Sequence, residues 1–404
     1  MLKIAIVVQG RFHGFDLARE LLGRGHDVTL FTNYPGWVAA RFGIPAGRTH
    51  SLVLHGVVAR VSEWLARVAG VPRPEAALHR WFGRWAERRL RREAWDVVHA
   101  WSGVAEESFQ STRVRAGCRL LMRGSAHIDV QARLLNEEAR RAGVAIDRPS
   151  AWMIARERRE YDRSDHILVL SSFSRKSFED AGVPLRRLSV LRLGVRVDDF
   201  RPHADRLAAR RRRILAGEPL RVLYVGALSY QKGILDVVET IRALGATDGF
   251  QFTLVGPVLP EARALVDQMG GRARVVGKVP QAALPAYYWD ADLFLYPTIQ
   301  DGYAAVTAQA KAAALPILTT AHGAGLDIVT PDEDGWIVPL RDPAAIVARL
   351  EWCRANRAAV AAMISRVFES FRARDWSDVA RDFEAIALRL SAGAAAAARM
   401  TGGD

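Results

Sequence analysis

Residues 296–316, YPTIQDGYAAVTAQAKAAALP, decide the fold of this chain. The apolar segment Leu293–Tyr296 predicts a strand that ends at Pro297, and the alanine-rich second half of the stretch predicts a helix. The loop between them carries Asp301 and Gly302. In an open parallel α/β sheet, ligands bind where strands end and helices begin, because free N–H groups at a helix start attract anions. The stretch therefore predicts an α/β fold with an active-site floor at this loop.

Strand and helix patterns alternate on both sides of this stretch. In the first half, apolar runs predict strands at 2–8, 26–31, 51–55, 96–100, 119–122, 166–170 and 188–191. In the second half, they predict strands at 220–226, 250–256, 274–279, 292–296, 317–320 and 335–338. Such alternation favours parallel, doubly wound sheets. Because single cores stop growing at roughly 250–300 residues, a chain of 404 residues is expected to form two such domains.

The boundary between the two domains is expected just after residue 200. Residues 201–218 are polar and rich in arginine, and they predict a linker between a first domain at 1–200 and a second at 219–375. Residues 376–404 predict a C-terminal helix that packs back toward the first domain, with an alanine-rich tail that frays.

Composition narrows the class of partner. The formal charge is +13, from 57 Lys and Arg against 44 Asp and Glu, which favours an anionic partner such as a nucleotide or a phospholipid surface. No recognised nucleic-acid fold accompanies these residues, so we expect no nucleic-acid partner. Cys118 and Cys353 lie on different predicted domains, which argues against a disulfide or a zinc site. The N-terminal apolar run predicts a buried strand and not a signal peptide, so we expect a cytoplasmic protein.

Residues 60–95 interleave tryptophan with arginine. On a helix, Trp81, Trp85 and Arg88 lie near one face. One interpretation is a helix that lies peripherally on the anionic inner face of the cell membrane. The other is a helix whose tryptophans pack on the sheet while the arginines are solvated. The sequence leaves both open.

Three turns of the second half carry candidate ligand-binding residues. Lys232, behind a glycine turn and just before a helix, could neutralise a diphosphate whose oxygens bind helix N–H groups. Asp301, with the amides of Gly302 and Tyr303, could hold sugar hydroxyls, and Gln309 could hydrogen-bond a ribose. Each has a structural alternative: a helix-start lysine, an Asp-Gly turn and a solvated helix residue.

The turn after the first strand, residues 9–14 (QGRFHG), could also admit a phosphate or sugar at Gly10. Its spacing is not the dinucleotide fingerprint Gly-x-Gly-x-x-Gly. A tight turn with no ligand explains it equally well.

Taken together, these motifs resemble the family-4 glycosyltransferases of the GT-B fold over nearly the whole chain. The second domain of that family typically contains GRLxxxKG, PSxxEGFG and EAxAxGxP. This chain has GALSYQKG at 226–233, PTIQDGYA at 297–304 and QAKAAALP at 309–316. Its first half matches with RGHDV at 24–28, RGSAH at 123–127 and SSFS at 171–174.

The resemblance implies two Rossmann-like domains that face a central cleft, and retaining transfer of a hexose without a metal or other cofactor. Lys232 would hold the donor diphosphate, Asp301 and His127 would lie at the transferred sugar, and Gln309 would hold the ribose. The catalytic residues would be His127, Lys232 and Asp301. The leaving diphosphate would accept the acceptor's proton. The remaining site positions are the donor-side Gly10, Gly226, Gly256, Val279, Gly302 and Tyr303, and the acceptor-side Arg11, Arg123 and Ser125.

Three departures from the family pattern concern the donor site. Ala227 replaces an arginine that pairs with the lysine, Asp301 is one methylene shorter than the family glutamate, and Gln309 lacks the charge of the second glutamate. Losing one charge-assisted hydrogen bond costs about 1.5–3 kcal/mol unless it is replaced. Arginines from across the cleft could replace it, and the candidates are Arg11, Arg192 and Arg196.

Three functions stay open at this point. The first is transfer from a UDP- or GDP-linked sugar to a glycan or lipid-linked acceptor in envelope polysaccharide or glycoconjugate synthesis. The second is a nucleotide-sugar-binding protein with weakened catalysis. The third is a nucleotide-sugar 2-epimerase, which uses two such domains.

Overall fold

The computed structural model describes residues 1–244 and 249–401. Residues 1–200, whose backbone is described throughout, form a sheet of seven parallel strands. The strands are β1 (Lys3–Val8), β2 (Asp27–Thr32), β3 (Thr49–Ser51), β4 (Ala94–Trp101), β5 (Arg115–Arg123), β6 (His166–Val169) and β7 (Leu188–Val190). Their order in the sheet is β3-β2-β1-β4-β5-β6-β7. The register pairs Lys3 with Asp27 and Ile4 with Val97.

Helices connect these strands and cover both faces of the sheet. They are α1 (Gly14–Gly23), α2 (Gly36–Arg41), α3 (Val53–Ala69), α4 (Glu75–Leu90), α5 (Glu106–Gln110), α6 (Ile128–Ala142), α7 (Ala151–Arg163) and α8 (Ser172–Asp180). Because parallel strands need crossover connections, this βα alternation is what places every strand's carboxyl end at one edge.

The second domain repeats the plan. Within the described part of residues 219–340, the strands are β8 (Leu220–Val225), β9 (Phe250–Val255), β10 (Ala273–Gly277), β11 (Leu293–Tyr296), β12 (Ile317–Thr320) and β13 (Gly335–Val338). They form a parallel sheet in the order β10-β9-β8-β11-β12-β13. The helices from residue 204 onward are α9 (Ala204–Leu215), α10 (Ile234–Leu244), α11 (Arg263–Asp267), α12 (Leu284–Asp290), α13 (Ala305–Ala312), α14 (Gly325–Ile328), α15 (Pro343–Ala355), α16 (Arg357–Ser370) and α17 (Trp376–Thr401). The predicted fold class, two Rossmann-like parallel-sheet domains, is confirmed.

Each domain has its own core of buried aliphatic side chains, as strands covered on both faces require. Helix α17 leaves the second domain and packs on the first, where Val379, Ala380 and Phe383 join the core. Glu384 of this helix bonds His26 Nε2 at 3.0 Å and also pairs with Arg24. The helix therefore fastens the end of the chain to the first sheet. The tail predicted to fray is helical as far as Thr401, and its last three residues lie outside the described part.

The prediction of a single strand at 51–55 is wrong. Strand β3 ends at Ser51, and α3 begins at Val53. The apolar residues that follow recur at helical spacing, at Val57, Val58 and Val61, and this longer period overrides the strand preference of a short β-branched run.

The stretch predicted as a linker, 201–218, contains a packed helix. Leu207 and Ile214 of α9 enter the second core. The buried Arg210 donates to the carbonyl oxygens of Ala313 at 2.8 Å and Tyr288 at 3.1 Å. The arginines that suggested a solvated linker thus include one that caps buried backbone carbonyls, which a polar composition does not reveal.

No helix formed by the described residues is both long enough and apolar enough to cross a bilayer.

Candidate active site

Lys232 ends a short turn after β8. Residues Tyr230–Lys232 form one 3₁₀ turn, and the next residue, Gly233, has φ +77°. A Cβ atom on Gly233 would lie 2.0 Å from the carbonyl oxygen of Pro297, so only glycine lets this turn lie against the loop after β11. That approach brings Lys232 Nζ to 2.6 Å from Asp301 Oδ2. The two predicted catalytic groups of the second domain are therefore in direct contact.

Asp301 is held from three sides. Its Oδ2 also accepts from the Tyr296 hydroxyl at 3.0 Å, and its Oδ1 accepts from the amide of Gly302 at 2.7 Å. Burial, with the negative charge of Asp301 adding to it, raises the pKa of Tyr296 well above its usual value. Tyr296 is thus a permanent hydrogen-bond donor to this carboxylate. The side chains of Lys232 and Asp301 keep 21% and 19% of their surface exposed, so a ligand can reach both.

Two glutamines link this loop to its surroundings. Gln231 Nε2 donates to the side-chain oxygen of Gln300 at 3.0 Å and to its carbonyl oxygen at 3.2 Å. The amide nitrogen of Gln300 in turn donates to Ser125 Oγ of the first domain. Gln300 is fully buried, and this hydrogen bond joins it to the first domain.

The domains approach most closely beside the same loop. A Cβ atom on Gly302 would lie 2.0 Å from the carbonyl oxygen of Gly124. Tyr303 is buried and packs within the core cluster of the first domain, although it belongs to the second in sequence. The loop predicted to hold the donor sugar is therefore itself part of the contact between domains.

Gln309 lies on α13 with 6% of its surface exposed. Its side-chain oxygen accepts from the Tyr288 hydroxyl at 3.1 Å. Gln309 lines a cavity of about 980 Å³ between the two domains. Arg11, Phe42 and Arg196 line the opposite side, and this volume is in the range of a small-molecule site.

Two of the three arginines considered as replacements for the one missing at Ala227 line this cavity. Arg192 is committed to Asp327, with Nη2 2.8 Å from Oδ1. Arg11 and Arg196, by contrast, line the cavity together with Gln309. Ala227 and Lys232 do not line this cavity, so the structure places the two arginines on the Gln309 side of the site.

The predicted donor-side glycines lie at strand ends. Gly10 follows β1 with φ +106°, and its amide donates to Asn33 Oδ1 at 2.8 Å. Gly226 and Gly256 follow β8 and β9, and a Cβ atom on Gly256 would lie 1.8 Å from the carbonyl oxygen of Gly226. Val279 packs partly buried against the second core, after β10. All four positions are at the carboxyl edges, where ligands of parallel sheets bind.

The structure does not show His127 in contact with Lys232 or Asp301. Its Nδ1 caps α6 by accepting from the amide of Asp129 at 3.3 Å, and its ring packs 4.9 Å from both Tyr161 and Phe178. Burial lowers the pKa of His127 to about 4, so its ring is neutral at neutral pH. This histidine could donate or accept a hydrogen bond but would not supply positive charge.

Of the predicted acceptor-side residues, Arg123 is used inside the first domain. Its Nε lies 3.0 Å from Glu157 Oε2, and its Nη2 donates to Gln131 Oε1 at 2.6 Å. Ser125 receives the hydrogen bond from Gln300 described above, and the guanidinium of Arg11 lies 4.9 Å from the ring centre of Phe42. Only Ser125 of the three is brought to the Asp301 loop.

Helix α13, which carries Gln309, is bounded by two alanines in left-handed conformation. Ala304 before it has φ +60°, and Ala314 after it has φ +59°. Both stand where the family motifs quoted above have glycine. A left-handed alanine costs roughly 1–2 kcal/mol, so the helix keeps its position at some expense of stability.

Sequence reasoning missed three partners in this site: Tyr288, Tyr296 and Gln300. From sequence alone, Tyr296 is the end of a strand and Gln300 is a loop residue. A tyrosine as the last residue of a buried strand was the available signal, since its hydroxyl needs a partner. Among the described residues, no three His, Cys, Asp or Glu side chains are grouped to hold a metal ion.

Two family models match most of the chain. Residues 12–199 match "Glycosyltransferase Family 4", and residues 219–356 match "Glycosyl transferases group 1". The chain belongs to glycosyltransferase family 4. The two matches divide at the boundary between the two sheets, so the family relationship extends to both domains.

Curated relatives of this family-4 chain are biosynthetic glycosyltransferases. The amylovoran biosynthesis glycosyltransferase AmsK of Erwinia amylovora is 26% identical over 203 residues, or 48% of each chain. A GDP-mannose-dependent alpha-(1-6)-phosphatidylinositol monomannoside mannosyltransferase of Mycobacterium tuberculosis (strain H37Rv) is 30% identical over 193 residues, 45% of this chain and 50% of the relative. The chain thus spans about half the length of these curated relatives. The D-inositol 3-phosphate glycosyltransferase of Xylanimonas cellulosilytica is 26% identical over 82% of this chain and 79% of its own.

Solved structures of similar fold cover nearly the whole chain. HepE of Anabaena, in complex with UDP and glucose, superposes with a TM-score of 0.62 at 12% identity, over 96% of this chain and 99% of HepE. The sucrose-phosphate synthase of Thermosynechococcus elongatus gives 0.66 at 19% identity, over 97% and 100%. At these identities the likeness shows the GT-B fold alone.

Proposed function

We propose that this chain is a retaining glycosyltransferase that moves a hexose from a UDP- or GDP-linked donor to a glycan or lipid-linked acceptor. The relatives named for amylovoran biosynthesis and for mannosyl transfer to a phosphatidylinositol monomannoside support an envelope polysaccharide or glycoconjugate as product. The observation that carries the proposal is the contact between Lys232 and Asp301 at the carboxyl edge of the second sheet, opposite the first domain.

In the proposed donor complex, the diphosphate lies between Lys232 and the cavity arginines Arg11 and Arg196. Lys232 is paired with Asp301 in this structure, so Nζ must share or leave that carboxylate when a diphosphate binds. The carboxylate would then accept from hydroxyl groups of the sugar, next to the amides of Gly302 and Tyr303. Charge-assisted hydrogen bonds of this kind are about twice as strong as neutral ones.

Gln309 would hold the ribose as a neutral group. Its oxygen already accepts from Tyr288, so its amide nitrogen remains to donate to a ribose hydroxyl. The leaving diphosphate would take the acceptor's proton, so we assign no separate base and no metal or other cofactor. Positioning and electrostatic stabilisation would supply most of the rate.

We place the reaction in the cytoplasm, at the inner face of the membrane where lipid-linked acceptors are available. The two cysteines, both buried and unpaired, are compatible with a reducing compartment.

The test is a donor screen with UDP-, GDP- and ADP-hexoses, in which nucleotide binding is measured by calorimetry and products are resolved with and without acceptor glycans. Binding of one base class together with acceptor-dependent transfer supports the proposal. No binding and no turnover with any donor would overturn it. A C2 epimer formed without acceptor would identify a 2-epimerase instead.

A nucleotide-sugar-binding protein with weakened catalysis is the second candidate. Ala227, Gln309 and the pairing of Lys232 with Asp301 favour it. It predicts donor binding without turnover, and Ala227→Arg with Gln309→Glu would then tighten donor binding but leave turnover at the background rate.

A further inference from the structure

Helix α3 has the reverse of the usual amphipathic arrangement. Eight apolar side chains on it are at least 36% exposed: Val53, Leu54, Val57, Val58, Val61, Trp64, Leu65 and Val68. The side that faces the domain is small or polar. His55 is fully buried there, and a Cβ atom on Gly56 would lie 2.5 Å from the carbonyl oxygen of Asn33. A helix at the surface of a domain normally turns its apolar stripe toward the core, so this helix has an apolar face without an internal partner.

The exposed residues form a continuous stripe and not a scatter. They recur every three or four positions, which places them on one side of a helix about 25 Å long. Leu54, Trp64 and Val68 are 64%, 59% and 67% exposed. Single exposed apolar residues are ordinary, but a contiguous apolar stripe marks an interaction surface.

The charge around the stripe selects the partner. Residues 53–92 contain nine arginines, three glutamates and neither aspartate nor lysine. Arg60, Arg73, Arg80, Arg84 and Arg88 are all exposed. We propose that the apolar face of α3 inserts into the interfacial region of an anionic lipid leaflet, with the surrounding arginines on the headgroups. A second copy of this chain would bring the same arginines together and is disfavoured by repulsion.

The position differs from the one predicted from the sequence, which relied on Trp81, Trp85 and Arg88 of α4. Trp85 packs against the first core, and Trp95, in β4, is buried. Within 60–95, the tryptophan that is widely exposed is Trp64 of α3, whereas Trp81 is 36% exposed. The lipid-facing surface is therefore centred on α3 and not on α4.

The α3 surface lies near the mouth of the cleft. Helix α3 follows the carboxyl end of β3, and its Gly56 approaches Asn33, whose side chain also accepts from Gly10. The part of the inference that concerns substrate rests on the proposed function: a lipid-linked acceptor held in the same leaflet would reach the cleft without leaving the membrane.

The first experiment is flotation of the full chain with vesicles of phosphatidylcholine, with or without phosphatidylglycerol. We expect the wild type to float with the anionic vesicles. The variant Val61→Glu/Trp64→Glu should lose roughly tenfold or more in partitioning, because it removes apolar burial and adds two negative charges. Leu185→Glu is the matched control, since Leu185 is 62% exposed in the first domain but lies outside α3. Equal flotation of both variants, or none by the wild type, overturns the proposal.

A second pair of variants separates charge from apolar insertion. Each arginine near an anionic surface contributes about a fivefold gain in binding. Arg60→Glu/Arg73→Glu should therefore weaken binding to anionic vesicles but not to neutral ones. Light scattering without lipid completes the test: a wild-type dimer that Val61→Glu/Trp64→Glu dissociates would show that a second copy covers α3. Donor binding by the same variants should be unchanged, so failure of lipid binding is distinguishable from failure of the proposed transfer reaction.

Discussion

The two sheets end in opposite ways at their carboxyl edges. In the second domain, polar groups there satisfy one another: Lys232 and Tyr296 donate to Asp301, and Gln231 donates to Gln300. In the first domain, the helix that follows β3 presents an apolar face to solvent. A network whose hydrogen bonds are already satisfied must be rearranged when a ligand binds. An uncovered apolar face, by contrast, gains favourable free energy when it is covered. The donor side is thus expected to discriminate between ligands, and the α3 side is expected to bind a membrane surface.

The largest effect should follow from removing the cation of the polar network. Lys232→Ala deletes the charge that we assign to the diphosphate, so kcat/KM should fall by about 10²–10³-fold and nucleotide affinity by about 10–100-fold. Calorimetry and initial rates measure both. Lys176→Ala, an exposed lysine on α8, is the control. Unchanged nucleotide affinity in Lys232→Ala would show that Lys232 does not bind the diphosphate.

Removing the anion of the same pair should have opposite effects on nucleotide binding and on turnover. Asp301→Asn frees Lys232 from its partner, so affinity for the free nucleoside diphosphate should rise by roughly 2–10-fold. The rate of sugar transfer should fall by about 10²-fold, because the sugar loses a charged acceptor. Titration with the nucleotide, alongside rates with the donor sugar, checks this opposition. A parallel fall in both quantities would mean that Asp301 serves the diphosphate as well.

Restoring the family arginine at position 227 tests whether Arg196 of the first domain takes its place. Ala227→Arg should tighten donor binding by about tenfold if the position still faces the diphosphate. In the background Arg196→Ala the gain should be larger, because the cavity then lacks one of its own arginines. Equal gains in the two backgrounds would show that Arg196 does not act on the donor.

The first domain also carries a pH-dependent stability, through His99 in β4. Burial lowers the pKa of His99 to about 3, from an ordinary 6.5. Below pH 6.5 the unfolded chain takes up a proton that the folded chain refuses, so the free energy of unfolding falls as pH drops from about 6.5 toward 3. The contribution is about 1.4 kcal/mol per pH unit.

Denaturant titrations at several pH values test this. His99→Phe should flatten the acid branch of the stability profile by that slope, whatever its effect at neutral pH. His203→Gln, which changes an exposed histidine, should leave the branch unchanged. An acid branch equally steep in His99→Phe would contradict the assignment.

The smallest effect concerns the two left-handed alanines that bound α13. Ala304→Gly and Ala314→Gly should each change the free energy of unfolding by about 0 to +1 kcal/mol, because relief of the left-handed strain exceeds or balances the flexibility glycine adds to the unfolded chain. Ala310→Gly, within the helix, should instead destabilise by about 1 kcal/mol or more. Thermal unfolding of the three variants ranks them.

The sequence predicted much of the second domain and less of the first. Lys232 and Asp301 were found because each follows a strand in a recognisable motif, and the structure brings them together. Tyr296 and Gln300 were missed because their roles depend on which loops approach one another, and local patterns do not contain that distance. The buried Arg210 shows the same limit, since an arginine that binds backbone carbonyls looks like a solvated one in sequence.

The error at 51–55 has a different origin. A short run of valine and leucine favours a strand, and an apolar stripe is ordinarily assumed to point inward. Helix α3 breaks the second assumption, because His55 and Gly56 face the domain while Val57 and Val61 face solvent. The tryptophans and arginines of residues 60–95 indicate a possible membrane surface, but only the fold shows that the exposed apolar face lies on α3.

The close approach at Gly302 sets the minimum width of the gap between the domains. A single methyl group there would occupy the space of the Gly124 carbonyl oxygen. Gly302→Ala should therefore act as a wedge that leaves each sheet folded and shifts the population toward an open conformer. Such a variant would separate two contributions to nucleotide affinity. The affinity that the variant retains belongs to the second domain alone, and the affinity that it loses comes from closure of the two domains.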